Sequence, residues 1–193
     1  MAHMINRCTL LVVISLAALL LGGCAGIFET PREQANAAIA EANKSIAKHN
    51  QLFEKARNIY SDAKQKIESG EDPSKEKGQI TEAKNTMQAA RGDLSDARDS
   101  LGTVQNLDVD QTIKTYAGKL SQAMDAQLAA EAKEIEYYNL LEMDPALQNN
   151  REKAMNLLSE VSAGYAKAEK AYGEAQDLAN SNPKVIEAAP KGS

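Results

Sequence analysis

The stretch LLEMDPALQNN, Leu140 to Asn150, decides the architecture of this 193-residue chain. Long amphipathic segments with helical periodicity run into it and out of it. If the backbone turns at Asp144-Pro145, those segments fold back on each other. If Pro145 only kinks one continuous helix, the product is an elongated coiled-coil rod about 100 Å long that needs a partner chain. The turn is favoured, because a Pro ring removes a backbone donor and clashes with the preceding turn, and it pushes the residue before it out of helical geometry. Asp144 and Pro145 are expected to cap and open a fourth helix.

Working outward, three more helices are legible. Thr30-Pro31-Arg32-Glu33 is a helix start: Thr caps, Pro suits the first helical position, and Glu33 returns a hydrogen bond to the cap. A heptad follows through Ile39, Ala42, Ile46, His49, Phe53, Ala56, Tyr60, Ala63 and Ile67, and stops at Ser69-Gly70. After a turn at Glu71-Asp72-Pro73, a second stripe runs through Ile80, Ala83, Met87, Ala90, Leu94, Ala97, Leu101 and Val104. Alternating large residues with Ala along a seam lets helices approach closely. A third helix starting at Asp108 carries Ile113, Ala117, Leu120, Met124, Leu128, Ile135 and Tyr138. The fourth carries Ala154, Leu158, Val161, Tyr165, Ala168, Tyr172, Ala175 and Ala179. Rods of roughly 32 to 39 residues are each about 50 to 60 Å long. Matched rods on short loops predict an all-α fold, an antiparallel up-down-up-down four-helix bundle over residues 30–181.

Composition narrows the function. Charged residues make up 25% of the chain and aromatics 4%, with no Trp and two Phe, so Ala, Leu, Ile and a few Tyr must fill the core. The formal net charge is −5, and no basic cluster tracks a phosphate backbone, so nucleic acid is not expected as a partner.

Near the N-terminus an apolar run, Cys8 to Leu21, follows Arg7 and ends at Gly22-Gly23-Cys24. It is too short to span a bilayer, which takes about 20 apolar residues, and has the proportions of a signal peptide. Leu21-Gly22-Gly23-Cys24 resembles the lipobox of bacterial lipoproteins. The resemblance covers only the first 24 or so residues and implies nothing about the fold of the mature chain. It implies diacylglycerol on the Cys24 sulfur, cleavage before Cys24, and acylation of the new N-terminus, which together anchor stably where one acyl chain would not. In the Gram-negative sorting rule an Asp directly after the Cys retains a lipoprotein in the inner membrane; Ala25 stands there instead, which favours the outer membrane, periplasmic side. Residues 1–3 read as a cloning scar, 4–23 as the signal peptide, 24–29 as a lipidated tether, and 182–193 as a mobile tail. Val185-Ile186, within that tail, is alternatively a short recognition peptide.

Few residues carry chemistry. Once the leader is removed, Cys24 is the only cysteine and His49 the only imidazole. His49 sits at a seam position midway along the first helix, and level counting places Gln127 and Ser162 or Tyr165 beside it, which predicts a buried polar layer that sets register. The alternative role is a haem ligand paired with Met124, although the Ala-filled seam argues against a cofactor cavity. A di-iron carboxylate site needs two Glu-x-x-His motifs, which one His cannot supply. Glu131 with Glu134, and Asp93 with Asp96, read as solvated faces with Lys and Arg interleaved. Tyr137, Tyr138 and Leu140 cover more than one face of their helix and are expected to leave a partner-docking patch. No phosphate loop, nucleophile elbow or triad is present, so no enzymatic activity is expected. The sequence points to a lipid-anchored, non-catalytic envelope protein that meets the membrane through Cys24 and a protein partner through its bundle. A bundle that binds haem or a small apolar ligand is the alternative.

Overall fold

The computed structural model describes residues 30–186. The expected leader, lipidation site and tether, and residues 187–193, lie outside the described residues. Four helices follow in order: α1 (Pro31–Glu68), α2 (Lys77–Thr103), α3 (Gln111–Met143) and α4 (Arg151–Ser181). They form a helical bundle in which α1 packs on α2, α2 on α3, and α3 on α4. The chain turns back after each helix and does not continue as a rod.

The helix ends follow from local chemistry. Thr30 accepts from the Glu33 amide at 3.2 Å while the Glu33 carboxylate accepts from the Thr30 amide at 2.7 Å, so two otherwise unpaired donors are satisfied reciprocally. At the far end of α1, Gly70 takes φ +98°, which a residue with a Cβ adopts only with strain, and Gly70 and Glu71 donate back to Ile67 and Lys66. Asp72 then caps a 3-10 turn over Pro73–Glu76 that leads into α2, so α2 is 27 residues long, shorter than the rod of roughly 32 residues expected. The cap of α3 falls on Asp110, two residues past the Asp108 expected, where it accepts from the Thr112 amide at 2.7 Å.

The turn at LLEMDPALQNN is wider than expected. Helix α3 ends at Met143, and α4 does not begin until Arg151. Asp144 is the organising residue, but not as the cap of α4. Its carboxylate accepts from the Gln148 and Asn149 amides and the Asn150 side chain, at 3.0, 2.9 and 3.0 Å. The Asn149 amide first, then Asn150 and Gln148, hold the Asp144 carboxyl below the usual value. Leu147 adopts φ +52° inside this turn.

Packing is close where small residues meet. A Cβ added to Gly164 of α4 would lie 2.8 Å from the Ala130 Cβ of α3, so these two backbones approach as far as side chains permit. Every α2 stripe residue predicted from the sequence, from Ile80 to Val104, is buried. On α4 the buried Leu is Leu157, and Leu158, expected in the stripe, is partly exposed. After α4 the chain does not leave the bundle at once: Val185 and Ile186 donate to the Asn182 carbonyl, and Ile186 is buried in the core. Residues 182–186 of the expected tail thus lie against the bundle, and the rest of it lies outside the described residues.

The core is in two parts. One apolar cluster, at the end where α1 begins, includes Ile46, Leu94, Leu101, Ile113, Leu120, Met124 and Tyr172. The other, at the opposite end, includes Ile80, Met87, Ile135, Tyr138, Leu140, Leu141 and Leu157.

Candidate functional site

Between the two clusters, and reaching into each, lies a belt of buried and half-buried polar side chains, contributed chiefly by α1 and α3. Helix α1 presents His49, Phe53, Arg57 and Tyr60 on successive turns. Helix α3 answers with Gln127, Glu131, Glu134, Tyr137 and Tyr138, and α4 adds Tyr165 and Tyr172. The spacing of three and four on each helix aligns these groups in two facing ladders.

The first rung is His49 with Glu131. Their side chains are 1% and 0% exposed, and His49 Nε2 lies 2.8 Å from Glu131 Oε1. Gln127 Nε2 donates to the same carboxylate oxygen at 3.0 Å, and Tyr172 donates to Gln127 Oε1 at 2.9 Å, which fixes the amide's orientation. On its other side, His49 Nδ1 lies 3.0 Å from Asn50 Oδ1. The ring thus sits between a carboxylate and an amide, and both nitrogens are engaged.

The second rung is Glu134. It accepts from Tyr165 at 2.7 Å, from Tyr138 at 2.8 Å and from Arg57 Nη2 at 3.2 Å. The Arg57 guanidinium lies over the rings of Phe53 and Tyr165, 4.7 and 4.9 Å from their centroids, an arrangement that favours a cation. Burial works against the Arg57 charge, but Glu134, with Tyr165 and Tyr138, outweighs it and holds its pKa above the ordinary value. Phe53 stacks on His49 at 5.4 Å and meets Tyr165 edge-on at 5.8 Å, so the two rungs are in ring contact. A third rung is Tyr60 with Tyr137, whose hydroxyls are 2.8 Å apart.

Burial first, then the Glu134 carboxylate, pushes the Tyr138 and Tyr165 phenols well above their usual value. Tyr60 is raised likewise, by burial and then by Tyr137, and Tyr137 by burial. Burial and then Glu131 raise Tyr172, and burial alone pushes Tyr116 up to about 12. All six tyrosines of the chain are therefore held in the neutral form well into the alkaline range.

The structure rearranges the expected site. His49 and Gln127 come together, sharing Glu131. Tyr165 is one turn away, joined to His49 only through Phe53, and Ser162 is exposed on α4. Glu131 and Glu134 do not form a solvated face: they are the buried acceptors that organise the belt. One signal pointed to Glu131. The α3 stripe skips from Leu128 to Ile135, and Glu131 fills the seam position between them. Tyr137, Tyr138 and Leu140 are not an outer patch but lie inside the second cluster, at most 6% exposed. Helix α3 is buried on several sides because α2 and α4 both pack on it and α1 reaches it through long side chains. Among the described residues the large apolar side chains left outside are Met143, Met155 and Leu158.

For haem, His49 Nε2 would have to leave Glu131, and Met124 is wholly buried in the first cluster. Among the described residues no group of three or more His, Cys, Asp or Glu is placed to hold a metal ion. What the arrangement does chemically is brace: two carboxylates on α3 grip an imidazole and a guanidinium on α1 across the bundle. Fold and belt together define an all-α bundle with a polar cross-brace. Comparison with known proteins finds no matching family model, no similar curated protein and no similar solved structure.

Proposed function

We propose that the protein is a lipid-anchored, non-catalytic scaffold of the bacterial cell envelope, held on the periplasmic face of the outer membrane and docking a membrane-associated protein partner. The observation that carries this reading is Leu21-Gly22-Gly23-Cys24, with Ala25 after it and a capped helix start at Thr30 only a few residues on. A tether of that length spans at most about 20 Å, so the bundle's first cluster faces the lipid surface and its partner is sought there. No helix among the described residues is long and apolar enough to cross a membrane. A braced bundle suits a rigid spacer, because charged side chains that find partners only in one register penalise every other packing. The second reading, a bundle that opens to take haem or a small apolar ligand, requires the His49 ring nitrogens to give up Glu131 and Asn50, which they now face at 2.8 and 3.0 Å.

The anchor is tested with Cys24→Ala. The expected outcome is loss of labelled-palmitate incorporation and release of the protein to the soluble periplasmic fraction. Continued membrane fractionation of the variant would refute the anchor.

A further inference from the structure

Four seams close a four-helix bundle, and three of them here are backbone-to-backbone: α1 on α2, α2 on α3, and α3 on α4. The fourth, between α1 and α4, is different. These helices do not pack closely along their length, and the seam is spanned at mid-height by large side chains, Phe53 and Arg57 of α1 against Tyr165 of α4.

At the end where α1 begins, a second structure crosses the same seam. After α4, Asn182 donates to the Leu178 carbonyl at 2.9 Å, and its own carbonyl accepts from Val185 and Ile186 at 3.0 and 2.9 Å. This tight turn aims the Val185 carbonyl at α1, where Arg32 Nη2 donates to it at 2.6 Å. It also places Ile186, 7% exposed, in the first apolar cluster, with Val185 half-buried beside it. Arg32 is in the first turn of α1, and its charge adds to the Thr112 hydrogen bonds that hold Asp110, the cap of α3, below the usual carboxylate value. The starts of α1 and α3 and the end of α4 are thus gathered at one point.

We infer that residues 182–186 are a latch across the α1/α4 seam, with Arg32 as its catch, and that this seam is the line along which the bundle opens. The physical reason is the difference in what each seam would expose. Parting α1 from α2, or α3 from α4, strips long Ala-lined helix contacts of the kind that bring Gly164 within reach of Ala130. Parting α1 from α4 keeps both hairpins and their close backbone contacts; it breaks the latch, the Phe53–Arg57–Tyr165 contacts and, because α1 then also leaves α3, the side-chain pairs His49–Glu131, Arg57–Glu134 and Tyr60–Tyr137. The latch does not rest on the envelope reading, since it follows from contacts within the bundle alone.

Hydrogen exchange read by mass spectrometry, helix by helix, tests it on the full chain with Arg32→Gln, Ile186→Ala, and a chain ending at Asn182. Met87→Ala, in the second cluster and away from the seam, serves as the control for general weakening. The expected result is exchange about tenfold faster or more in the first half of α1 and the last half of α4, with α2 and α3 near their original rates. A uniform increase in all four helices, matching Met87→Ala, overturns the latch, and so does unchanged exchange in all three variants. Arg32→Gln keeps the test decisive if the truncated chain fails to fold, since it removes one half-exposed contact and no core atom.

Discussion

Glu131→Leu should be among the most damaging single substitutions in this protein, and adding His49→Leu should repair most of the damage. In the single variant His49 stays wholly buried without its carboxylate partner, and the Gln127 amide keeps only the His49 ring nitrogen, 3.3 Å away. Breaking a buried pair by removing one member costs about 3–5 kcal/mol. Replacing both members by apolar side chains of similar volume is near neutral or stabilising, and Glu131 Oε2, buried without a partner among the described residues, already makes the natural pair imperfect. The double variant should therefore lie within about 1 kcal/mol of the natural protein. Urea unfolding followed by circular dichroism reads both. With a slope of about 2 kcal/mol per M, the single variant's midpoint falls by about 1.5–2.5 M and the double's by about 0.5 M or less. Two results would refute the reasoning: a single variant within about 1 kcal/mol of the natural chain, or a double variant no more stable than the single.

Gly164→Ala and Gly92→Ala should move stability in opposite directions. The first places a Cβ against Ala130 and costs about 1–2 kcal/mol net of its better helix propensity; the second meets nothing within 4 Å and gains up to about 1 kcal/mol. Thermal melts of the pair decide it, and a stabilised Gly164→Ala would show that the two helices are free to part there. Alkaline titration is the next test. Phenols whose folded pKa lies above the unfolded value of about 10 support folding below that pH and cease to do so as pH rises through the folded value. Tyrosinate absorbance should therefore appear only as helical ellipticity is lost, above about pH 10. Full tyrosine ionisation near that pH with ellipticity unchanged would contradict their burial.

Much of the fold was legible because helical periodicity and capping are local. Ile80 to Val104 all point inward because one apolar residue every three or four positions defines a face, whatever packs on it. Thr30 and Glu33 satisfy each other within four residues. The second buried face of α3 was not legible in this way. Glu131 lies 82 residues from His49, and a carboxylate reads as solvated until a partner from another helix removes the cost of burying it.

By itself, the sequence determined the number of helices, the seam of α2, the capped start at Thr30 and the turn at Asp144-Pro145, since each depends on neighbours within a turn or two. Only the tertiary structure decided that Glu131 and Glu134 are core residues and that Tyr137, Tyr138 and Leu140 are buried. It also decided that Ser162 faces outward and that Ile186 closes one end of the bundle. The reason is that burial of a polar or second-face residue is a property of the helix beside it, and only folding chooses that helix.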